Sequence, residues 1–132
     1  MLDVEVFGAT LAPGAPPPER LQLLCELAAS SHGVHSGHVA IEFVSAERIA
    51  ELNRGHRGKD RATDVLSFPI DGADGSASEP RELGDIVICA PRTADLEEAI
   101  VHGMLHLLGM DHERDRGEML ALQAELLGRS ES

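Results

Sequence analysis

Residues 101–113 read VHGMLHLLGMDHE, and within them His102, His106 and His112 stand at H-x3-H-x5-H spacing. The first two lie four apart in an apolar, helix-favouring run, so they project from one face of a helix with Cβ atoms about 5–6 Å apart. Gly109 most easily adopts a left-handed cap, which ends that helix and turns the chain so that His112 can approach the other two. Three neutral imidazoles with one position left open form the donor set of a catalytic zinc. The run therefore predicts a central helix ending at a metal-dependent hydrolytic site.

The same spacing occurs in the long zinc-protease motif, where a glutamate follows the first histidine and serves as general base. Here that position is Gly103, so a peptidase mechanism lacks its proton acceptor. A lone histidine on an apolar helix face is usually a hydrogen-bonded core residue. Three of them, with a glycine turn between the second and third, favour the metal reading. A structural zinc would need a fourth ligand; Cys89 could supply it, though an ordinary buried thiol is the plainer account. His32, His35 and His38 form a second cluster at H-x2-H-x2-H spacing. They fall in a predicted loop running into a strand, with no common ligand face, and read as polar loop.

Outward from the histidine run, the helix is predicted from about Asp95 to Leu108, and Leu83 to Cys89 has the short β-branched character of a buried strand. Thr63 to Ile70, TDVLSFPI, has strand composition, but Pro69 lacks an N–H and points to an edge. Residues 71–82 read as a polar loop. Leu2 to Phe7 alternates apolar and acidic, and His38 to Val44 reads as another strand. A helix starts at Pro18 or Glu19, with Leu21, Leu24, Cys25, Leu27 and Ala28 at helical spacing. Ser45 is placed to cap a short helix that closes before Gly55. A last amphipathic helix, about Arg114 to Leu127, turns Met119, Leu120, Leu122, Leu126 and Leu127 mainly toward the core. The expected fold is α/β (α+β): a single compact domain over residues 1–132, with a mixed sheet of about four strands, helices packed over it, and residues 128–132 a flexible tail.

At 132 residues the chain suits one core rather than two. It has no run near the roughly 18 apolar residues of a membrane span, and its first residues, MLDVEVFGA, do not read as a signal peptide. A cytoplasmic location is expected, and two distant cysteines fit a reducing compartment. The net charge of −12 works against broad nucleic-acid contact. With no Trp or Tyr and three Phe, a wide base-stacking platform is excluded. Arg54, Arg57, Lys59 and Arg61, opposed locally only by Asp60, still make a basic segment on an acidic body.

HRGKDRATDVLSFPI and VHGMLHLLGMDHE together, with ELN at 51–53, GDIVI at 84–88 and EMLALQAELL at 118–127, resemble the YbeY family of bacterial metal-dependent endoribonucleases. The resemblance spans about residues 38–128. It implies one zinc per chain held by His102, His106 and His112, and cleavage of single-stranded RNA in ribosomal RNA maturation at the small-subunit RNA 3′ end. It further implies a part in ribosome quality control, with rRNA precursor, the small ribosomal subunit and assembly proteins as partners, and neither DNA nor membrane. Arg57 matches the family's catalytically important arginine. Thr63, Asp64 and Ser67 lie on the strand that would flank the metal cleft as a substrate edge. Two departures stand out: His56 where a tyrosine is common, and a short segment between GDIVIC and VHG.

Asp111 and Glu113 flank His112 and are candidates to orient a ligand ring or accept a proton through water; Asp64 and Asp85 are weaker ones. Two further readings remain open: a zinc hydrolase of a peptide or small molecule, and a non-catalytic ribosome-assembly factor with a vestigial metal site.

Overall fold

A computed structural model of the chain describes residues 1–57, 64–70, 81–111 and 115–131, with the side chains of all but 56 and 57. In chain order the elements are β1 (Leu2–Phe7), α1 (Pro18–Ser30), β2 (Gly37–Phe43), α2 (Ala46–Arg57), β3 (Val65–Pro69), β4 (Glu82–Ile88), α3 (Leu96–Leu107) and α4 (Glu118–Ser130), with short 3-10 turns at Ala9–Leu11 and Ala90–Arg92. The four strands form one mixed sheet in the order β1-β2-β4-β3. β1, β2 and β4 are parallel, and β3 runs antiparallel to β4 as the outer strand. Pro69 therefore sits on an edge, where its missing N–H leaves no buried carbonyl unpaired.

Strand alternation divides the apolar residues between two layers. Val39, Ile41 and Phe43 of β2 and Ile86 and Ile88 of β4 face α1, α3 and α4, where they join Leu24, Ile100, Met104 and Met119 in the main core. The opposite face carries a smaller cluster, Val44, Ile49, Leu66, Val87 and Cys89, packed with Leu52 from α2. Toward β1 that face is polar, with Asp3, Glu5 and Glu42 exposed.

α3 is the central helix. Asp95 Oδ1 accepts the Glu98 N–H at 3.1 Å, and Glu97 and Glu98 occupy the first turn, where carboxylates complement the helix dipole. Its other end is a Schellman cap: Gly109 N–H donates to His106 O and Met110 N–H to Leu105 O, both at 3.0 Å, with Gly109 at φ 100°. Gly109 ends the helix in the way its position in the sequence predicts. Gly103 lets α3 lie close on the sheet, since a Cβ there would stand 2.7 Å from Ile86 Cγ2.

Several boundaries differ from expectation. α2 caps on Ser45 Oγ, which accepts the Arg48 N–H at 3.1 Å, but it runs through Gly55 to Arg57; one interior glycine costs only about 1 kcal/mol. α4 starts at Glu118 rather than Arg114 because Asp115 captures the Gly117 and Met119 N–H groups at 2.8 and 2.9 Å. Leu120 lies off the buried Met119–Gln123–Leu126 stripe and is 49% exposed, where the core was expected, while Met119 and Leu126 are buried. Residues 128–130 continue α4 where a tail was expected. They are fastened by Arg20, which donates to Ser130 O and Oγ at 2.5 and 2.9 Å and forms a two-point ion pair with Glu97. That ion pair holds the Glu97 carboxyl below the usual range. Of the loop expected at 71–82, residues 71–80 lie outside the described residues, and Glu82 instead opens β4, where it pairs with His38. Among the described residues no helix is long and apolar enough to cross a membrane.

Candidate metal centre

α3 presents His102 and His106 on one half-buried face. Their Nε2 atoms are 3.2 Å apart, and the rings meet edge to face with centroids 4.7 Å apart. Two nitrogens that each bind one zinc at about 2.05 Å in tetrahedral geometry stand about 3.3 Å from one another. The observed pair has that separation. His102 Nδ1 lies 2.8 Å from Gln123 Oε1 on α4. An amide oxygen only accepts, so Nδ1 carries a proton, and in the neutral ring the lone pair is then on Nε2. The donor chemistry thus fits a transition-metal ion. His112, the third expected ligand, and Glu113 lie outside the described residues.

The expected substrate edge lies beside this helix. Ser67 Oγ, on β3, donates to Gly103 O at 3.4 Å, next to His102 in sequence. β3 is the last strand of the sheet, so its outer edge has no strand partner among the described residues. Asp64 precedes it, exposed, its Oδ1 accepting the Val65 N–H at 3.0 Å and its carbonyl accepting from Cys89 N–H. Thr63 lies outside the described residues, as does the side chain of Arg57, whose backbone ends α2. Of the basic segment, only Arg54 is described with its side chain. Asp111 is half-buried beyond the Gly109 turn, in the wall of an open hollow of about 480 Å³ that Asp115 and Glu118 also line.

Two residues weighed from the sequence are directed elsewhere. Asp85 lies between Gly84 and Ile86, both of which face α3, so alternation puts its carboxylate on the opposite side of the sheet. Cys89 belongs to the apolar cluster with Ile49, Leu66 and Val87, away from the histidines. The second histidine cluster does not converge. His32 is in the turn after α1, bonded to Ser31 Oγ at 3.0 Å, and the His35 carbonyl receives the N-terminal amine at 2.7 Å.

His38 lies near the start of β2, in the strand expected from His38 to Val44. Its Nδ1 faces both Glu82 carboxylate oxygens at 2.8 Å and its Nε2 faces Glu5 Oε1 at 2.5 Å. Asp3, Glu5 and His38 have donor atoms within 4.8 Å of one another. Yet carboxylates at both ring nitrogens are satisfied by an imidazolium, which has no lone pair for a metal. The glutamates accordingly raise the His38 pKa above its ordinary value, Glu82 contributing most.

Gln123 is the site residue that the sequence reading passed over. The available signal was a polar residue in the buried i, i+4, i+7 stripe Met119–Gln123–Leu126; a buried amide needs a partner.

Comparison with known proteins identifies the family. The family model for Endoribonuclease YbeY matches residues 19–131. The chain belongs to the YbeY family. The match takes in α1 from its second residue, α2, α3, α4 and the strands β2, β3 and β4. Among curated members, the Endoribonuclease YbeY of Bacillus cytotoxicus is 43% identical over 80% of this chain and 81% of its own length. That of Rubrobacter xylanophilus is 40% identical over 94% and 93%. The solution structure of TM1509 from Thermotoga maritima superposes with a TM-score of 0.56 at 27% identity, covering 96% of this chain and 88% of that one. The mixed sheet with α3 carrying the histidine pair is thus a YbeY-family fold.

Proposed function

We propose that this chain is a zinc-dependent endoribonuclease that cuts single-stranded RNA in the maturation of ribosomal RNA, at the small-subunit RNA 3′ end, and serves ribosome quality control in the cytoplasm. The observation that carries the metal part is the 3.2 Å approach of His102 Nε2 and His106 Nε2, with His112 completing a three-histidine set for one zinc. The YbeY membership supports the RNA substrate.

When bound, zinc supplies a Lewis acid for a phosphoryl oxygen and acidifies a water. The remaining work falls to side chains. Arg57 would grip the scissile phosphate through charge-assisted hydrogen bonds and stabilise the charge that grows on its oxygens. Thr63, Asp64 and Ser67 would serve as the substrate edge along which a single strand is aligned, since β3 is the last strand of the sheet and has no second strand partner among the described residues. Asp111 and Glu113 are positioned in sequence to orient His112 or to accept a proton through water.

Peptide hydrolysis on the zinc-protease pattern is disfavoured by packing: the position for the glutamate base is Gly103, whose Cβ direction is filled by Ile86. The decisive experiment incubates the zinc-loaded protein with precursor small-subunit rRNA, with and without ribosomal subunits, and maps the cuts beside a casein digest. We expect RNA cleavage in single-stranded segments and intact casein. Absence of RNA cleavage under every condition, with zinc bound, would leave a non-catalytic assembly factor.

A further inference from the structure

Gln123 is 8% exposed and lies on the face of α4 that also buries Met119 and Leu126. An amide buried there is destabilising unless it is hydrogen-bonded. The partner given by the structure is His102 Nδ1, at 2.8 Å from Oε1. A neutral imidazole exists as two tautomers, and only the one protonated at Nδ1 leaves a lone pair on Nε2, the atom 3.2 Å from His106 Nε2. In free histidine the Nε2–H form is readily populated, and it would present a hydrogen rather than a lone pair to a metal. α4 is itself tied down at its far end by Arg20, through Ser130 and Glu97, so the Gln123 oxygen is held on a fastened helix.

We propose that Gln123 is a positioning residue for the metal, accepting the Nδ1–H of His102 and so holding that ring in the orientation and tautomer whose Nε2 can ligate. The ion affinity of α3 is thereby coupled to the docking of α4. This rests on His102 being a zinc ligand. Ligand-orienting partners of this kind are generally worth 10–100-fold in metal affinity.

The test compares the full-length wild type with Gln123→Met, which keeps length and apolar packing but has no amide oxygen, and Gln123→Glu, which keeps an acceptor. Zinc affinity is measured by chelator competition, and the His102 tautomer by nitrogen-15 NMR with zinc and after its removal. We expect Gln123→Met to bind zinc 10–100-fold more weakly and to lose the single Nδ1–H form of His102, while Gln123→Glu restores both. Unchanged affinity and tautomer in a folded Gln123→Met would overturn the proposal and leave the zinc reading standing. If the wild type binds no zinc, that reading fails instead. The tautomer in the metal-free wild type then decides the role of Gln123 alone, and an Nε2–H His102 there refutes it even if Gln123→Met does not fold.

Discussion

His102, on a helix packed against the sheet, and His38, on the sheet itself, are both half-buried, yet their surroundings assign them opposite chemistry. His102 has one nitrogen on an amide oxygen and turns the other toward a second imidazole. His38 has carboxylates at both nitrogens. A neutral acceptor at one nitrogen leaves the other, in the neutral ring, with a lone pair to give. Acceptors on both sides favour a cation that has none. Metal-type residues standing close together are therefore not enough; what satisfies the second nitrogen determines whether the first can bind.

The sharpest break between the two regions is metal content. His106→Ala should abolish stoichiometric zinc binding, while His38→Ala should leave one zinc per chain, as read by metal analysis of the purified proteins. Zinc retained in the first variant would refute the assignment of the α3 pair. Substrate contact should separate from metal contact next. Arg57→Ala is expected to keep its zinc and lose about 100-fold or more in RNA cleavage, the scale of removing one donor to a developing oxyanion; unchanged cleavage would dismiss the phosphate clamp.

A smaller effect tests the close packing beneath the histidines. Gly103→Ala should lower unfolding free energy by about 1–3 kcal/mol, the range for overpacking a core, because Ile86 must yield. An unchanged urea midpoint would mean the helix moves freely off the sheet. The smallest effect belongs to His38. Its folded pKa is raised, so its stabilising contribution is complete below the unfolded value, near 6.5, and disappears as pH rises through the higher folded value. The stability difference between wild type and His38→Gln should be under about 1 kcal/mol for so exposed a cluster, present at pH 5 and shrinking as pH rises. A difference that grows with pH would contradict the imidazolium.

Much of the fold was legible because local chemistry and packing point the same way. The alternation of Leu2–Phe7, the β-branched run before Cys89 and the glycine after Leu108 each mark their element, and each element forms there. Boundaries were missed where a side chain competes with a backbone preference. Asp115 takes the N–H groups that would have extended α4 toward Arg114, and α2 runs on past Gly55, since an interior glycine costs only about 1 kcal/mol. The histidine pair could be read from spacing because i and i+4 share a helix face without help from the rest of the molecule. Gln123 could not be placed there, since its oxygen reaches His102 only across two packed helices, 21 residues apart in the chain.

Sequence alone was therefore sufficient for what helical and strand periodicity enforce: the mixed α/β elements, the paired imidazoles of α3 and the cap that ends it. Only tertiary packing decided which histidine keeps a lone pair and why Gly103 can hold no carboxylate. It also decided which side of the sheet Asp85 faces. Those outcomes depend on what a neighbouring helix or strand puts within about 3 Å of a given atom, the reach of a hydrogen bond. No local pattern in the chain encodes that distance.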